Sequence, residues 1–119
     1  MDVAEFNARW LQAWSDKDVD ALLGFYALDC RYVDQQVPHG IEGHGALRAY
    51  LTGLFAATPP MRYDPDEIWP IVEGFCGRWY CVIGDDPKAA PALRGFDLVV
   101  LREGRIALNE VYVHPLGAA

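Results

Sequence analysis

An aspartate interrupts the most apolar run of this chain. Asp97 lies within Phe96–Leu101, where every other residue is apolar, as in a buried β-strand. A carboxylate that loses its water is costly unless it is paired, hydrogen-bonded or kept protonated. Asp97 is therefore a candidate site of chemistry. Backbone amides, a neighbouring arginine or water would equally satisfy it in a purely structural role.

A second acid, Asp34, ends another strand-like run, Cys30–Val33. Two carboxylates in apolar surroundings suit proton transfer, because different environments separate their pKa values. Both carboxylates are therefore candidate catalytic residues. The alternative for Asp34 is a cap on the loop residues 35–37.

Composition limits the class of protein and of partner. The chain has 119 residues, which fits a single domain over residues 1–119, and 52% of them are hydrophobic. The formal charge is −7, from 17 acidic and 10 basic residues. An acidic protein is poorly suited to nucleic acid or to an anionic membrane surface, so we expect neither partner. Small uncharged or cationic ligands remain possible.

The N-terminal residues and the cysteines bear on location. The start is acidic and lacks the apolar core of a signal peptide, and no run approaches the ~18 apolar residues of a membrane span. Cys30, Cys76 and Cys81 are odd in number and lack metal-like spacing. We interpret them as reduced thiols and expect a cytoplasmic protein.

Hydrophobic spacing predicts helices first and strands afterwards. Asp2 is expected to cap a first helix and Asp18 a second. A strand over 30–34 and a loop over 35–45 precede a third helix over 46–57, which Thr58-Pro59-Pro60 ends. The stripe of the first helix is Val3, Phe6, Trp10, Ala13 and Trp14, and that of the second is Val19, Leu22, Leu23 and Tyr26.

The second half predicts an antiparallel meander of four strands, over residues 62–72, 75–83, 93–101 and 105–113. The fold class is therefore α+β. The strand around Asp97 is apolar on both faces, and an antiparallel sheet usually leaves one face polar. We expect the second apolar face to form a homodimer.

The order of elements resembles the nuclear-transport-factor-2-like superfamily, specifically its SnoaL-like and ketosteroid-isomerase-like branch. The resemblance covers the whole chain and rests on the segments 14–22, Ile41-Glu42-Gly43-His44-Gly45-Ala46-Leu47 and Gly104-Arg105-Ile106. It implies a cone-shaped fold in which three helices pack on a curved, mostly antiparallel sheet around an apolar pocket.

The resemblance also implies functions. It places Asp34 at the general-base Asp of the isomerases, Asp97 at their protonated oxyanion-hole Asp, and Trp10 at their oxyanion-hole Tyr. The expected function is cofactor-free acid/base catalysis on a small apolar molecule, as in isomerases, polyketide cyclases or dehydratases. A non-catalytic ligand-binding or assembly domain is the alternative. We expect substrate contacts from Trp10, Trp14, Tyr26, Tyr50, Trp79 and Tyr112.

The sequence does not determine strand register, and so it leaves open which side chain faces Asp97 and which face of the sheet the last strand presents to the pocket. If Ile83 pairs with Leu93, Trp79 stands opposite Asp97 and helps to keep it dry, whereas a one-residue slip brings Arg78 to that face. Glu110, Tyr112 and His114 share one parity and could line the pocket or an interface. The histidines, His39, His44 and His114, lack compact ligand spacing, so we expect no metal site.

Overall fold

The fold is described by a computed structural model that covers residues 1–117; residues 118 and 119 of the expected domain lie outside the described residues. Three helices and six strands form the α+β arrangement expected from the sequence. The helices are α1 (Val3–Ser15), α2 (Val19–Phe25) and α3 (Gly43–Ala57). The strands are β1 (Tyr26–Asp34), β2 (Val37–Glu42), β3 (Met61–Ile71), β4 (Gly74–Ile83), β5 (Leu93–Arg102) and β6 (Arg105–Pro115).

The predicted helix caps are confirmed. The Asp2 carboxylate accepts from the Glu5 backbone N–H at 3.1 Å, which satisfies one free donor at the start of α1. The carboxylate of Asp18 does the same for α2, accepting from Ala21 N–H at 3.0 Å. Helix α3 ends at Ala57, before Thr58-Pro59-Pro60, as expected. Lys17 Nζ donates to the Thr58 carbonyl at 2.7 Å and so ties the α1–α2 turn to the end of α3.

Two sequence-based predictions of secondary structure were wrong. Tyr26 was expected on the second helix but begins β1, where its backbone pairs with Ile106 of β6. This long-range pairing overrides the local helical spacing. The segment 35–45, expected to be a loop, contains β2 and the start of α3. Pro38 obscured β2, but a proline is tolerated in a strand at the edge of a sheet.

One sheet organises the chain, with strand order β2-β1-β6-β5-β4-β3. The four strands from β3 to β6 form the predicted antiparallel meander, and β1 joins its far side by parallel pairing with β6. The helices cover one face of this sheet. Fully buried side chains between the two layers include Leu22, Leu47, Leu51, Phe75, Val99 and Ile106.

The pairing of β4 with β5 differs by two residues from the register considered above. Cys81 rather than Ile83 pairs with Leu93, so Gly77 lies opposite Asp97 and Trp79 lies opposite Gly95. A shift of two keeps the parity, and Trp79 therefore shares the inner face with Asp97. The absence of a side chain at Gly95 makes room for the indole, since a Cβ there would lie 2.0 Å from Trp79 Cζ2.

The opposite face of the sheet is open and partly apolar. Phe96 is 41% exposed and lies against Trp69, with their ring centroids 5.9 Å apart, and Tyr112 is 61% exposed. Glu110 accepts from the Tyr112 hydroxyl, and the His114 ring is within 2.7 Å of Arg94. The parity of Glu110, Tyr112 and His114 is therefore that of the outer face. Across residues 1–117, the structure contains no helix long and apolar enough to cross a membrane.

Candidate active site

A cavity of about 190 Å³ lies between helices α1 and α3 and the inner face of the sheet. Both candidate carboxylates line it, although they are 63 positions apart in the chain (97 − 34). Its wall consists of Leu11, Trp14, Tyr32, Asp34, Gln35, Gln36, Tyr50, Leu54, Thr58, Met61, Tyr63, Trp79, Leu93, Asp97, Val111 and Val113.

Asp97 is held by two N–H donors at the inner face of the sheet. Trp79 Nε1 donates to Asp97 Oδ1 at 2.9 Å, and Asn109 Nδ2 donates to Oδ2 at 3.1 Å. The residue is only 3% exposed. Each oxygen thus keeps a further lone-pair direction for a proton or for a molecule in the cavity.

A chain of buried polar groups continues behind Asp97. Asn109 is fully buried, and its Oδ1 accepts from the Tyr26 hydroxyl at 2.8 Å. The same hydroxyl accepts from Trp10 Nε1 at 3.3 Å. Sequence reasoning missed Asn109, although a polar residue on a strand next to apolar positions is the same kind of signal that identified Asp97. Asn109 contacts Asp97 because β6 pairs with β5, and the register of this pairing is not given by the sequence pattern.

Burial raises the pKa of Asp97 to about 7, and the hydrogen bonds from Trp79 and Asn109 oppose that rise by stabilising the charged form. No arginine, lysine or histidine takes part in these contacts. At neutral pH the residue is consequently close to the point at which it gains or loses its proton, which is the range a general acid requires.

Asp34 has a more polar environment. Its Oδ2 accepts from the hydroxyls of Tyr32 at 2.7 Å and Tyr50 at 2.5 Å. Its Oδ1 accepts from the backbone N–H groups of Gln36 at 2.8 Å and Val37 at 3.1 Å. Asp34 therefore both caps the loop and lines the cavity, two positions that the sequence left as alternatives. Four donors occupy the acceptor capacity of this carboxylate.

The two tyrosines beside Asp34 remain protonated across the physiological range. Burial, with the negative charge of Asp34, raises the pKa of Tyr32 well above its ordinary value. Burial and the hydrogen bond to Asp34 likewise raise the pKa of Tyr50. Both hydroxyls therefore stay neutral donors to the carboxylate.

The other residues expected to contact a substrate fall into two groups. Trp14, Tyr50 and Trp79 line the cavity. Trp10 and Tyr26 lie behind it, in the chain of polar groups that ends at Asp97. Tyr112 is on the outer face of the sheet, because the inward parity of β6 belongs to Val111 and Val113. Tyr63, whose ring centroid is 5.0 Å from that of Trp79, is a wall residue that the sequence analysis did not identify.

The histidines and cysteines are spread over the fold. His44 Nε2 is 2.8 Å from the Tyr26 carbonyl, and His39 is exposed. Among residues 1–117, no three side chains of His, Cys, Asp or Glu come together as a group that could hold a metal ion. Burial raises the pKa of Cys81 to about 11, so its thiol stays protonated and unreactive.

The raised pKa of Asp97 predicts how stability depends on pH. In the unfolded chain Asp97 ionises near its ordinary pKa of 3.8, whereas in the folded protein it keeps its proton until about pH 7. The contribution of Asp97 to the free energy of unfolding should therefore fall between pH 4 and 7 and change little above 7. About three pH units at 1.36 kcal/mol each give a loss of about 4 kcal/mol from this residue.

Urea unfolding of the protein and of Asp97→Asn at several pH values measures this effect. The difference in unfolding free energy, wild type minus variant, should decrease by about 4 kcal/mol from pH 4 to 7. Asp20→Asn is the control, because Asp20 is exposed and paired with Arg48. A difference that increases with pH would show that Asp97 is stabilised as an ion.

Comparison with known proteins identifies the family. The profile of the SnoaL-like domain matches residues 7–109. A search of curated proteins finds no significant match. A SnoaL-like protein of unknown function from Burkholderia thailandensis is similar in structure, with a TM-score of 0.80 and 14% identity over 94% of each chain.

Two further solved structures have the same fold. A putative polyketide cyclase from Sinorhizobium meliloti has a TM-score of 0.71 and 22% identity, over 87% of this chain and 90% of that one. A hypothetical protein with a ketosteroid isomerase-like fold from Catenulispora acidiphila, in complex with trimethylamine, has a TM-score of 0.74 and 17% identity over 91% and 84%. The profile match over most of the chain shows that this chain belongs to the SnoaL-like family, and the solved structures share its fold.

Proposed function

We propose that the protein is a cofactor-free acid/base enzyme that acts on a small, largely apolar molecule. The observation that carries the proposal is that one cavity holds two carboxylates in unlike environments. Asp97 is buried among N–H donors, and Asp34 is half-buried among hydroxyls and backbone amides. Such a pair can divide the acid and base roles between them.

Asp97 is the proposed acid. A proton on its carboxyl can be donated, or shared as a hydrogen bond, with an oxygen of the bound molecule as negative charge develops there. Trp10, which resemblance placed at the oxyanion-hole tyrosine, donates to Tyr26 instead. In this proposal Asp97 is therefore the residue that stabilises that oxygen.

Asp34 is the proposed base. Its acceptor positions are occupied, so a proton from the substrate must replace one of the present hydrogen bonds. Tyr50 is the partner suited to move, because its hydroxyl has a second acceptor in Gln36 Oε1 at 3.3 Å. Rotation of this hydroxyl would free one lone pair of Asp34 towards the cavity.

The size of the cavity bears on the substrate. A volume of about 190 Å³ lies below the roughly 300–1,000 Å³ of sites for drug-sized ligands, which favours a smaller molecule. Isomerisation, aldol-type cyclisation, dehydration and epoxide opening all suit an acid and a base across such a cavity. The description of the similar Sinorhizobium protein as a putative polyketide cyclase supports an enzymatic role.

A ligand-binding domain without catalysis is the second candidate. The four hydrogen bonds on Asp34 favour it, because they also describe a carboxylate with a structural role. The complex of the Catenulispora protein with trimethylamine supports the view that this fold can hold a small molecule.

Hydrogen exchange on a bound ketone separates the two candidates. A panel of small cyclic ketones is first screened for binding by ligand-observed NMR. A ketone that binds should exchange its α-hydrogens for deuterium in D₂O, and Asp97→Asn should slow the exchange by about 10²-fold or more. Asp20→Asn should exchange at the wild-type rate. A ketone that binds without accelerated exchange would favour the binding domain, and an accelerated rate that is unchanged in Asp97→Asn would show that Asp97 is not the acid.

We also propose that the outer sheet face joins two copies of the chain. Phe96 and Tyr112 expose large rings there, and Trp69 extends the patch. The same face carries Arg94 with His114 and also Glu110, so a two-fold arrangement can place opposite charges against each other. A patch of this kind on a small protein typically marks an interaction surface.

The mass in solution tests the dimer. Light scattering after gel filtration should give twice the 13.3 kDa of the chain at micromolar concentration. Phe96→Arg, which adds a charge to the centre of the patch, should shift the mass to that of one chain. Ala8→Arg, a substitution at an exposed position of α1 on the helical side of the sheet, serves as the control and should leave the dimer intact. A wild-type mass of one chain would exclude the interface.

A further inference from the structure

The wall of the cavity has a composition that favours positive charge. Five aromatic residues, two carboxylates and otherwise neutral groups line it, and among the described residues of the wall there is no lysine, arginine or histidine. The aromatic members are Trp14, Tyr32, Tyr50, Tyr63 and Trp79. The face of an aromatic ring carries partial negative charge and attracts a cation, most strongly where water is excluded.

Neighbouring rings stand at steep angles to one another. Trp14 and Tyr63 have centroids 6.0 Å apart and planes at 61°, and Tyr63 and Trp79 have centroids 5.0 Å apart and planes at 74°. Because their planes are inclined, these rings turn their faces in different directions along the cavity wall. Sites lined by several aromatic rings are the usual recognition sites for quaternary ammonium groups.

The carboxylates also favour a cationic ligand. Asp34 and the partly protonated Asp97 line one cavity in a chain of net charge −7, which disfavours an anionic ligand. The tyrosine hydroxyls in the wall stay protonated and add no negative charge, because burial raises the pKa of Tyr32, Tyr50 and Tyr63. The described wall of the cavity thus carries acidic side chains and no cationic one, and the Lys17 ammonium contacts it only through Thr58, 2.9 Å from that hydroxyl.

The hydrogen bonding of Asp34 selects among cations. A primary ammonium needs up to three acceptors, whereas the acceptor positions of Asp34 are already taken by four donors. A quaternary ammonium donates no hydrogen bond, and its methyl groups offer an apolar surface to the rings. It therefore gains from the charge without disturbing the contacts of Asp34.

We propose that the molecule bound in this cavity carries a methylated ammonium group, seated among the aromatic rings near Asp34. This inference rests on the proposed function only for the position of the substrate site. It adds the chemical class of the ligand: a small organic cation with an apolar surface. It holds whether or not the protein turns that molecule over.

Choline and its neutral carbon isostere, 3,3-dimethylbutan-1-ol, test the proposal, because they have nearly the same shape and differ in charge. Isothermal titration of the full chain at pH 7 should show choline binding about tenfold more tightly, the order that one desolvated cation–π contact supplies. Equal affinities, tighter binding of the alcohol, or no binding of choline would overturn the proposal.

A variant separates charge from shape. Asp34→Asn should weaken choline binding about tenfold and leave the affinity of the alcohol unchanged, since the amide keeps the size of the side chain and removes its charge. Equal losses for both probes would attribute the effect to altered structure and overturn the role of Asp34. The α-hydrogen exchange of neutral ketones is read separately, so the proposed acid/base function can fail while the cation preference stands, and the reverse.

Discussion

The desolvation of a single carboxyl group is the constraint on which the proposed acid/base chemistry depends. Asp97 lies on β5, inside the sheet and beneath the helices, where it is only 3% exposed. Two N–H donors satisfy its oxygens without a counter-ion, so the fold tolerates the acid but does not hold it firmly ionised. An arginine in place of Trp79 would have given an ordinary ion pair and fixed the charge.

The sheet register produces this environment. Trp79 reaches Asp97 because β4 and β5 pair with Gly95 opposite the tryptophan, where a larger residue would collide with the indole. Asn109 reaches it because β6 lies on the other side of β5. Tyr26 of β1 then donates to Asn109, and Trp10 of α1 donates to Tyr26, so that elements distant in the chain jointly hold one side chain.

Much of this arrangement was predictable from the sequence, and the remainder shows the limit of local information. The caps at Asp2 and Asp18, the meander and the oddity of Asp97 are local signals, and each was confirmed as a structural feature. Strand β2 was missed because its pairing with β1 outweighs a sequence that contains Pro38 and Gly40. Asn109 was missed because partners across a sheet depend on register, which periodicity alone does not determine.

The protonation state of Asp97 is the claim that supports the acid role, and its direct measurement is a carboxyl-carbon NMR titration of the folded protein with ¹³C-labelled aspartate. The Asp97 signal is assigned as the one that is missing from the spectrum of Asp97→Asn. The structure predicts a midpoint near pH 7, because burial outweighs the hydrogen bonds from Trp79 and Asn109. A midpoint at or below ~3.9, the value of a free aspartate, would show an ionised structural acid and contradict the account.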